Sequence, residues 1–146
     1  MTKKEFCLEN LHKAKNSHEN EMIKLEMVFK GSLPENPTPR GSTECFLGKW
    51  FYSSPNLNKY LGPQLYQKLE ALHNQWHSQY TKIYDIYFKE EKKGFFKKLK
   101  KHQPSQMEKD KAAAYYDDLK KITQELLHTL IICERRLKAL SDSKFV

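Results

Sequence analysis

One cysteine and three histidines are the residues of this chain whose types and spacing suit a metal ion. His73 and His77 lie four residues apart, so on a helix both imidazoles project from the same side. That spacing lets one helix offer two nitrogens to a single ion. Cys45 and His18 lie elsewhere in the sequence and are the other two candidates. Neutral imidazole and thiolate are ligands that Zn²⁺ prefers, commonly four in a tetrahedron.

The histidine pair has a second interpretation that the spacing alone leaves open. On a helix face rich in aromatic residues, two histidines are also typical of a core in which both rings are hydrogen-bonded. A cysteine at a helix start and an inward-facing histidine on another helix favour the metal site. Spacing across loops carries no information about which side chains meet.

Long amphipathic helices are predicted to position the histidines. The first covers residues 5–30, and its apolar stripe places His18 on the inner face and His12 away from it. The next opens at Gly62-Pro63, with proline at its first position, and extends to about residue 90. His73 and His77 lie at one edge of its buried face.

A last long helix is predicted over residues 105–140. Cys133 lies on its apolar stripe and is expected to act as a small buried residue, whereas His128 lies off the stripe and is expected in solvent. Between the last two helices, residues 91–104 form a basic segment. It is expected to be a solvated connection, with a docking patch for an acidic protein surface or anionic lipid as the alternative.

A short helix is predicted to carry Cys45. Residues 31–41 contain three prolines and two glycines, which end the first helix. Ser42 or Thr43 is the expected cap of the next one, with Cys45 in its first turn. Free N–H groups and positive potential at that position are expected to lower the thiol pKa and favour thiolate.

Composition favours one helical domain that spans residues 1–146. The hydrophobic fraction is 38% and the charged fraction 30%, which suits a packed helical protein better than a disordered chain. The net charge of +8 attracts acidic partners non-specifically, but no nucleic-acid-binding motif accompanies it, so no specific nucleic acid is expected. Three cysteines at unrelated spacings favour a reducing cytoplasm over a disulfide scaffold. No apolar run suits a signal peptide or a membrane span.

The candidate residues occur in an order that resembles a known family. His18 is followed by Cys45-Phe46-Leu47-Gly48-Lys49-Trp50 and then by His73-x-x-x-His77. This closely resembles the bacterial chemoreceptor zinc-binding (CZB) domain, whose signature is a helix histidine, a Cys-x-[Leu/Phe]-Gly-Lys-Trp segment and a closing His-x-x-x-His pair. The resemblance covers about residues 5–140.

The resemblance implies a fold, a ligand set and an assembly. His18, Cys45, His73 and His77 would be the four Zn²⁺ ligands. The fold would be an all-α, antiparallel four-helix bundle with an extra short helix that carries the cysteine ligand. Members of the family often pair as homodimers, so a homodimer is expected.

The resemblance also implies a non-enzymatic sensory or regulatory module. Family members tune chemotaxis receptors or diguanylate cyclases in response to zinc or to oxidants such as hypochlorous acid. This chain is therefore expected to act on chemotaxis or cyclic-di-GMP signalling, with Cys45 oxidised before Cys7 or Cys133. It shows no receptor signalling hairpin and no cyclase domain. Its output must pass through a partner of the chemoreceptor or cyclase class, or the chain is one domain of something larger.

Three other functions are weighed against this one. A structural adaptor would hold zinc without exchanging it, which sequence does not separate from a sensor. A zinc hydrolase needs an open coordination position and a general base, and no HExxH motif supplies one. A hemerythrin-like di-iron bundle needs more inward histidines and bridging carboxylates than this chain offers.

Overall fold

A computed structural model describes residues 1–32, 37–93, 96–101 and 104–145, with side chains described outside 89–103. These residues form five α-helices, two strands and a 3-10 turn: α1 (Lys3–Phe29), α2 (Phe46–Ser53), α3 (Leu57–Leu61), α4 (Pro63–Tyr87), β1 (Phe88–Lys93), β2 (Phe96–Lys101), α5 (Gln106–Ala139) and a turn at Asp142–Lys144. The predicted all-α helical bundle, with Cys45 at a short helix, is confirmed. Its described helices divide into three long and two short ones.

α1 begins earlier than predicted because its first turn is capped by side chains. Thr2 accepts a hydrogen bond from the backbone N–H of Glu5, and the Glu5 carboxylate accepts one from the N–H of Thr2. This reciprocal capping satisfies two N–H groups that a helix start leaves without partners. Ser105 and Glu108 cap the start of α5 in the same way.

α4 begins where the sequence predicts and ends earlier. Gly62 has a φ of 82°, a conformation that glycine adopts without steric cost, and Pro63 occupies the first helical position. The helix stops at Tyr87 because Phe88 takes an extended conformation and starts β1. The described part of the predicted connection at residues 91–104 thus belongs to two antiparallel strands, Phe88–Lys93 and Phe96–Lys101. Its side chains lie outside the described residues, so neither interpretation of that segment is tested.

α5 runs antiparallel to α4. The indole N–H of Trp76 donates to Thr123 Oγ1 at 2.8 Å, and the side-chain amide of Gln79 donates to the carbonyl of Tyr115 at 3.1 Å. A later residue in α4 therefore meets an earlier residue in α5. The hairpin between the two helices reverses the chain direction.

α1 and α4 run parallel to each other. The ring of His18 lies 4.6 Å from that of Trp76, and the ring of Phe29 lies 5.4 Å from that of Tyr87. Positions in the two helices therefore advance together. The chain between α1 and α4 must return along the bundle, and that return segment carries α2 and α3.

The core lies between the three long helices, where their apolar stripes meet. Its largest fully buried side chains include Trp76, Tyr80, Leu11, Leu25, Ile83, Leu119 and Leu126. Cys133 is fully buried among them, as predicted. His12 and His128 are exposed, also as predicted. Within the described residues, none of the helices combines the length and the apolar character that crossing a membrane requires.

Candidate metal centre

Cys45 is itself the cap of α2, which corrects the predicted cap at Ser42 or Thr43. Its backbone is extended, with φ −78° and ψ 166°, and its Sγ accepts a hydrogen bond from the N–H of Gly48 at 3.3 Å. Sulfur thus takes the place that a serine or aspartate oxygen usually fills at a helix start. The thiol therefore lies just before the first turn rather than within it.

Gly48 allows the backbone of Ser42 and Thr43 to lie against the start of α2. A Cβ at this position would overlap the carbonyl oxygen of Ser42. Only a residue without a side chain keeps that carbonyl in place. The same close approach brings the Ser42 carbonyl within 3.7 Å of the Cys45 Sγ.

His18 reaches the site from α1 and is completely buried. Its ring packs against those of Trp76 at 4.6 Å and His73 at 5.0 Å. Its Nε2 lies 3.8 Å from the Cys45 Sγ. The inner-face placement predicted from the helix stripe is confirmed.

His73 and His77 enter the site from α4, one turn apart and both buried. The Nε2 of His73 lies 3.1 Å from the Cys45 Sγ. The Nδ1 of His77 lies 3.1 Å from the carbonyl oxygen of Arg40. A carbonyl only accepts hydrogen bonds, so the proton of this ring is on Nδ1 and Nε2 carries a lone pair.

That Nε2 of His77 is buried and has no hydrogen-bond partner among the described residues. An unpaired buried acceptor is costly in a packed interior. A metal ion supplies the partner that the lone pair lacks. The Arg40 carbonyl meanwhile fixes the tautomer, the usual role of a group behind a metal-bound histidine.

The structure brings all four predicted candidates together. One donor atom from each of His18, Cys45, His73 and His77 lies within 4.8 Å of the others, and all four residues are buried. Tetrahedral zinc with Zn–N near ~2.05 Å and Zn–S near ~2.3 Å places its three nitrogens and one sulfur about 3.3–3.6 Å apart. Rotations of the imidazoles cover the difference. Among the described residues this is the one group of three or more potential ligands at such distances.

The three imidazoles are held in the neutral form that binds metals. Burial lowers the pKa of His18 well below its usual value, and the nearby His73 and His77 lower it further. Burial and His77 lower the pKa of His73 to about 3. Burial also lowers the pKa of His77, opposed by its hydrogen bonds to the backbone of Arg40 and Pro39. At neutral pH no proton competes with a metal for these nitrogens.

Cys45 behaves differently from the expectation of a lowered pKa. Burial is the largest influence and raises the pKa of the thiol, while the N–H of Gly48 lowers it by less and the carboxylate of Glu21 raises it again. The helix start is thus outweighed by removal from water. In the metal-free site the sulfur is protonated at neutral pH, and a bound cation is what makes it a thiolate.

Two contributors to the site were not identified from the sequence. The Arg40 carbonyl and the Gly48 N–H are backbone groups, whose contacts no residue pattern reveals. Two contacts hold the segment of Arg40 on α4: the Tyr80 hydroxyl donates to the Thr38 carbonyl at 2.8 Å, and Arg40 pairs with Asp85 at 3.1 Å. The one signal in the sequence was Gly48 itself, because glycine inside a short helix is otherwise unfavourable.

Comparison with known proteins agrees with this geometry. Residues 18–84 match the family model of the chemoreceptor zinc-binding domain. No curated protein and no solved structure matches the chain. The matched region covers just under half of the chain, a narrower span than residues 5–140. Together with the three-histidine, one-cysteine donor set it supports Zn²⁺ as the cofactor. The resemblance to the chemoreceptor zinc-binding family is thereby confirmed over residues 18–84, which contain all four candidate ligands.

Proposed function

We propose that this chain is a non-enzymatic sensory module, a single domain over residues 1–146, that binds one Zn²⁺. The ligands are the Nε2 atoms of His18, His73 and His77 and the Sγ of Cys45. The observation that carries the proposal is the convergence of these four buried donors within 4.8 Å. The family match over residues 18–84 supports the same metal.

The number of donors supports binding rather than catalysis as the role of the site. Four protein ligands complete the tetrahedron that zinc adopts in closed sites, whereas catalytic zinc keeps one position for water or substrate. All four residues are buried, so a substrate has no direct approach to the ion. A site of this kind stabilises a conformation and reports whether metal is present.

Zinc occupancy becomes a structural signal because the ligands come from three separate elements. His18 belongs to α1, Cys45 to the start of α2, and His73 to α4. Bound zinc links the start of α2 to the two parallel helices α1 and α4. Loss of zinc leaves a protonated thiol and unpaired imidazoles there, and the start of α2 is released.

Oxidants are proposed to act on the same sulfur. A metal-bound Cys45 is a thiolate, the form that hypochlorous acid oxidises, and a sulfenate is a weaker ligand. Burial raises the pKa of Cys133 to about 12 and raises that of Cys7, so both stay protonated. Cys7 is nevertheless more exposed than Cys45, which makes the order of oxidation the decisive measurement.

That order is read by mass spectrometry of the zinc-loaded protein after limiting hypochlorous acid, beside a zinc-indicator dye. Oxidation of Cys45 together with zinc release supports redox sensing. A Cys7→Ser variant serves as the control and should release zinc at the same rate. Oxidation of Cys7 before Cys45, or oxidation of Cys45 while zinc stays bound, contradicts redox sensing at this site.

The output is proposed to pass to a chemoreceptor or cyclase partner in chemotaxis or cyclic-di-GMP signalling, from a homodimer in the cytoplasm. Ile23 and Met27 lie one turn apart on α1 and are 56% and 44% exposed. Such a pair suits a self-complementary helix face. Sedimentation of wild type and Ile23→Ser tests this, and a strict monomer at micromolar concentration argues against it.

The zinc site itself is tested by metal analysis and X-ray absorption on protein purified without a histidine tag. The expected result is one zinc per chain, with one Zn–S distance near ~2.3 Å and three Zn–N distances near ~2.0–2.1 Å. Two or more sulfurs around the ion, or protein that takes up no zinc, overturns the assignment. Rapid exchange of the bound zinc with a chelator favours a sensor, whereas exchange over days favours a structural adaptor.

A further inference from the structure

An open groove lies at the end of the bundle where α1 begins. It has a volume of about 730 Å³ and is formed by the start of α1, the outer side of α2 and the chain after α5. This volume is within the range of small-molecule sites in proteins, roughly 300–1,000 Å³. The metal centre is formed by other side chains, so the groove is a separate feature.

The lining of the groove is predominantly apolar and partly exposed to solvent. Phe6 and Phe46 line it with exposed fractions of 62% and 41%. Trp50, Tyr60 and Phe145 form more of its wall. Exposed aromatic side chains that share one concave surface are unusual on a protein unless something covers them.

The charged side chains among the described lining residues of the groove have one sign. Lys3 and Lys49 line it, both are exposed, and no aspartate or glutamate is among its described lining residues. Neither ammonium group forms an ion pair with the described part of the chain, in contrast to Lys13, which pairs with Glu9. An apolar groove with two such cations complements a molecule that has a hydrocarbon part and an anionic end.

We propose that this groove binds a free anionic amphiphile, a straight-chain carboxylate of the fatty-acid class. The hydrocarbon chain lies against Phe6, Phe46 and Trp50. The carboxylate lies between the ammonium groups of Lys3 and Lys49. This proposal does not depend on the proposed zinc function, because none of the four candidate zinc ligands lines the groove.

The test is a calorimetric titration of the full, zinc-loaded chain with dodecanoate below its micelle concentration. Dodecyltrimethylammonium has the same chain with a cationic end, and acetate has the same head without the chain. Saturable binding of dodecanoate, with no binding of the other two, is the expected result. Equal binding of the cationic amphiphile would show simple hydrophobic adsorption and overturn the proposal.

Matched variants locate the site. Lys49→Glu and Phe46→Ser should each weaken dodecanoate binding by about tenfold, as expected for a lost charged contact or apolar contact. Lys59→Glu and Met107→Ser change an exposed lysine and an exposed apolar residue outside the groove and should leave binding unchanged. Circular dichroism and zinc content confirm that each variant is folded.

Three further results decide against the proposal. Equal affinities in all four variants would place the ligand elsewhere. A dimer that Phe46→Ser dissociates, combined with no dodecanoate binding by wild type, would show that a second copy of the chain covers the groove. Binding only to anionic vesicles, and not to monomeric dodecanoate, would assign the groove to a membrane surface.

Discussion

The protonation states of single side chains determine what happens when zinc enters the site. Burial raises the pKa of the Cys45 thiol, and burial lowers the pKa of each of the three imidazoles. At neutral pH the metal-free site therefore holds one proton that zinc must displace, the one on sulfur. The nitrogens are already in their binding form.

Zinc binding at about pH 7.5 should accordingly release a single proton per ion. Calorimetric titrations in buffers with different ionisation enthalpies measure this number. The Cys45→Ala variant should bind zinc more weakly and release none. Release of two or more protons by wild type would mean that a histidine is charged in the metal-free chain.

Histidines inside and outside the site should differ sharply in their effect on zinc affinity. His73→Ala and His77→Ala each remove a donor atom, so each should lower the zinc affinity by more than about 100-fold. That loss is larger than the loss typical when a hydrogen-bond partner of a metal ligand is replaced. His12 and His128 are exposed, and their replacement by alanine should leave the affinity unchanged. Competition with a chromogenic chelator measures all four. Similar losses at every position would contradict the assignment.

The metal-free fold should weaken as the pH falls. An unfolded histidine takes up its proton near pH 6.5, whereas His73 in the folded chain has a pKa of about 3. Between these values the unfolded state binds more protons, so acidification lowers the free energy of unfolding. The expected slope is about 1.4 kcal/mol per pH unit for each such histidine.

Urea unfolding of chelator-treated protein at about pH 7 and pH 5 measures this dependence. His73→Gln should show a shallower decline than wild type, because it lacks one of the depressed imidazoles. His128→Ala should match wild type. An unfolding free energy that does not change between the two pH values would show that the imidazoles are not buried without metal.

At the scale of elements, the close contact between the start of α2 and the backbone of Ser42 positions the Cys45 sulfur. Gly48→Ala places a Cβ on the Ser42 carbonyl oxygen, so the start of α2 must move. Overpacking of this kind destabilises a protein by about 1–3 kcal/mol. Because Cys45 caps the same turn, zinc affinity should fall as well.

Gly41→Ala is the matched control for that substitution. A Cβ at Gly41 would meet the flexible side chain of Glu44 at 3.2 Å, which has room to turn away. Thermal unfolding with and without zinc compares the two variants. Equal stability of Gly48→Ala and wild type would mean that the contact with Ser42 is not rigid.

Elements and ligand candidates were predictable from the sequence to different degrees. The helix stripes predicted the long helices and the inward position of His18, because periodicity records which face is buried. The cap at Cys45 was missed because sulfur is an uncommon cap. The direction of the thiol pKa was wrong because burial depends on everything packed around α2, which no local pattern encodes. The hairpin of β1 and β2 was not predicted, because the sequences of these strands lack the alternation of apolar and polar residues that is typical of a hairpin.

At the scale of the whole molecule, the arrangement of the helices limits how the site forms. The Cys45 sulfur is 27 residues from His18 and 28 residues from His73 along the chain. Because α1 and α4 are parallel, no local hairpin brings these donors together. The return segment must be in place before all four meet.

This arrangement has a kinetic consequence. Contacts between distant parts of a chain form after the loops between them have closed, so zinc should enter a chain that is already almost native. Its stabilisation, about 2.7 kcal/mol at a zinc concentration 100 times Kd, should then slow unfolding and leave the refolding rate unchanged. Stopped-flow refolding and unfolding with zinc or chelator separates the two rates. Faster refolding with zinc would show that the ion assembles the bundle instead. If zinc changes only the unfolding rate, the ion stabilises a bundle that has already folded. The lifetime of the folded state then depends on the concentration of available zinc.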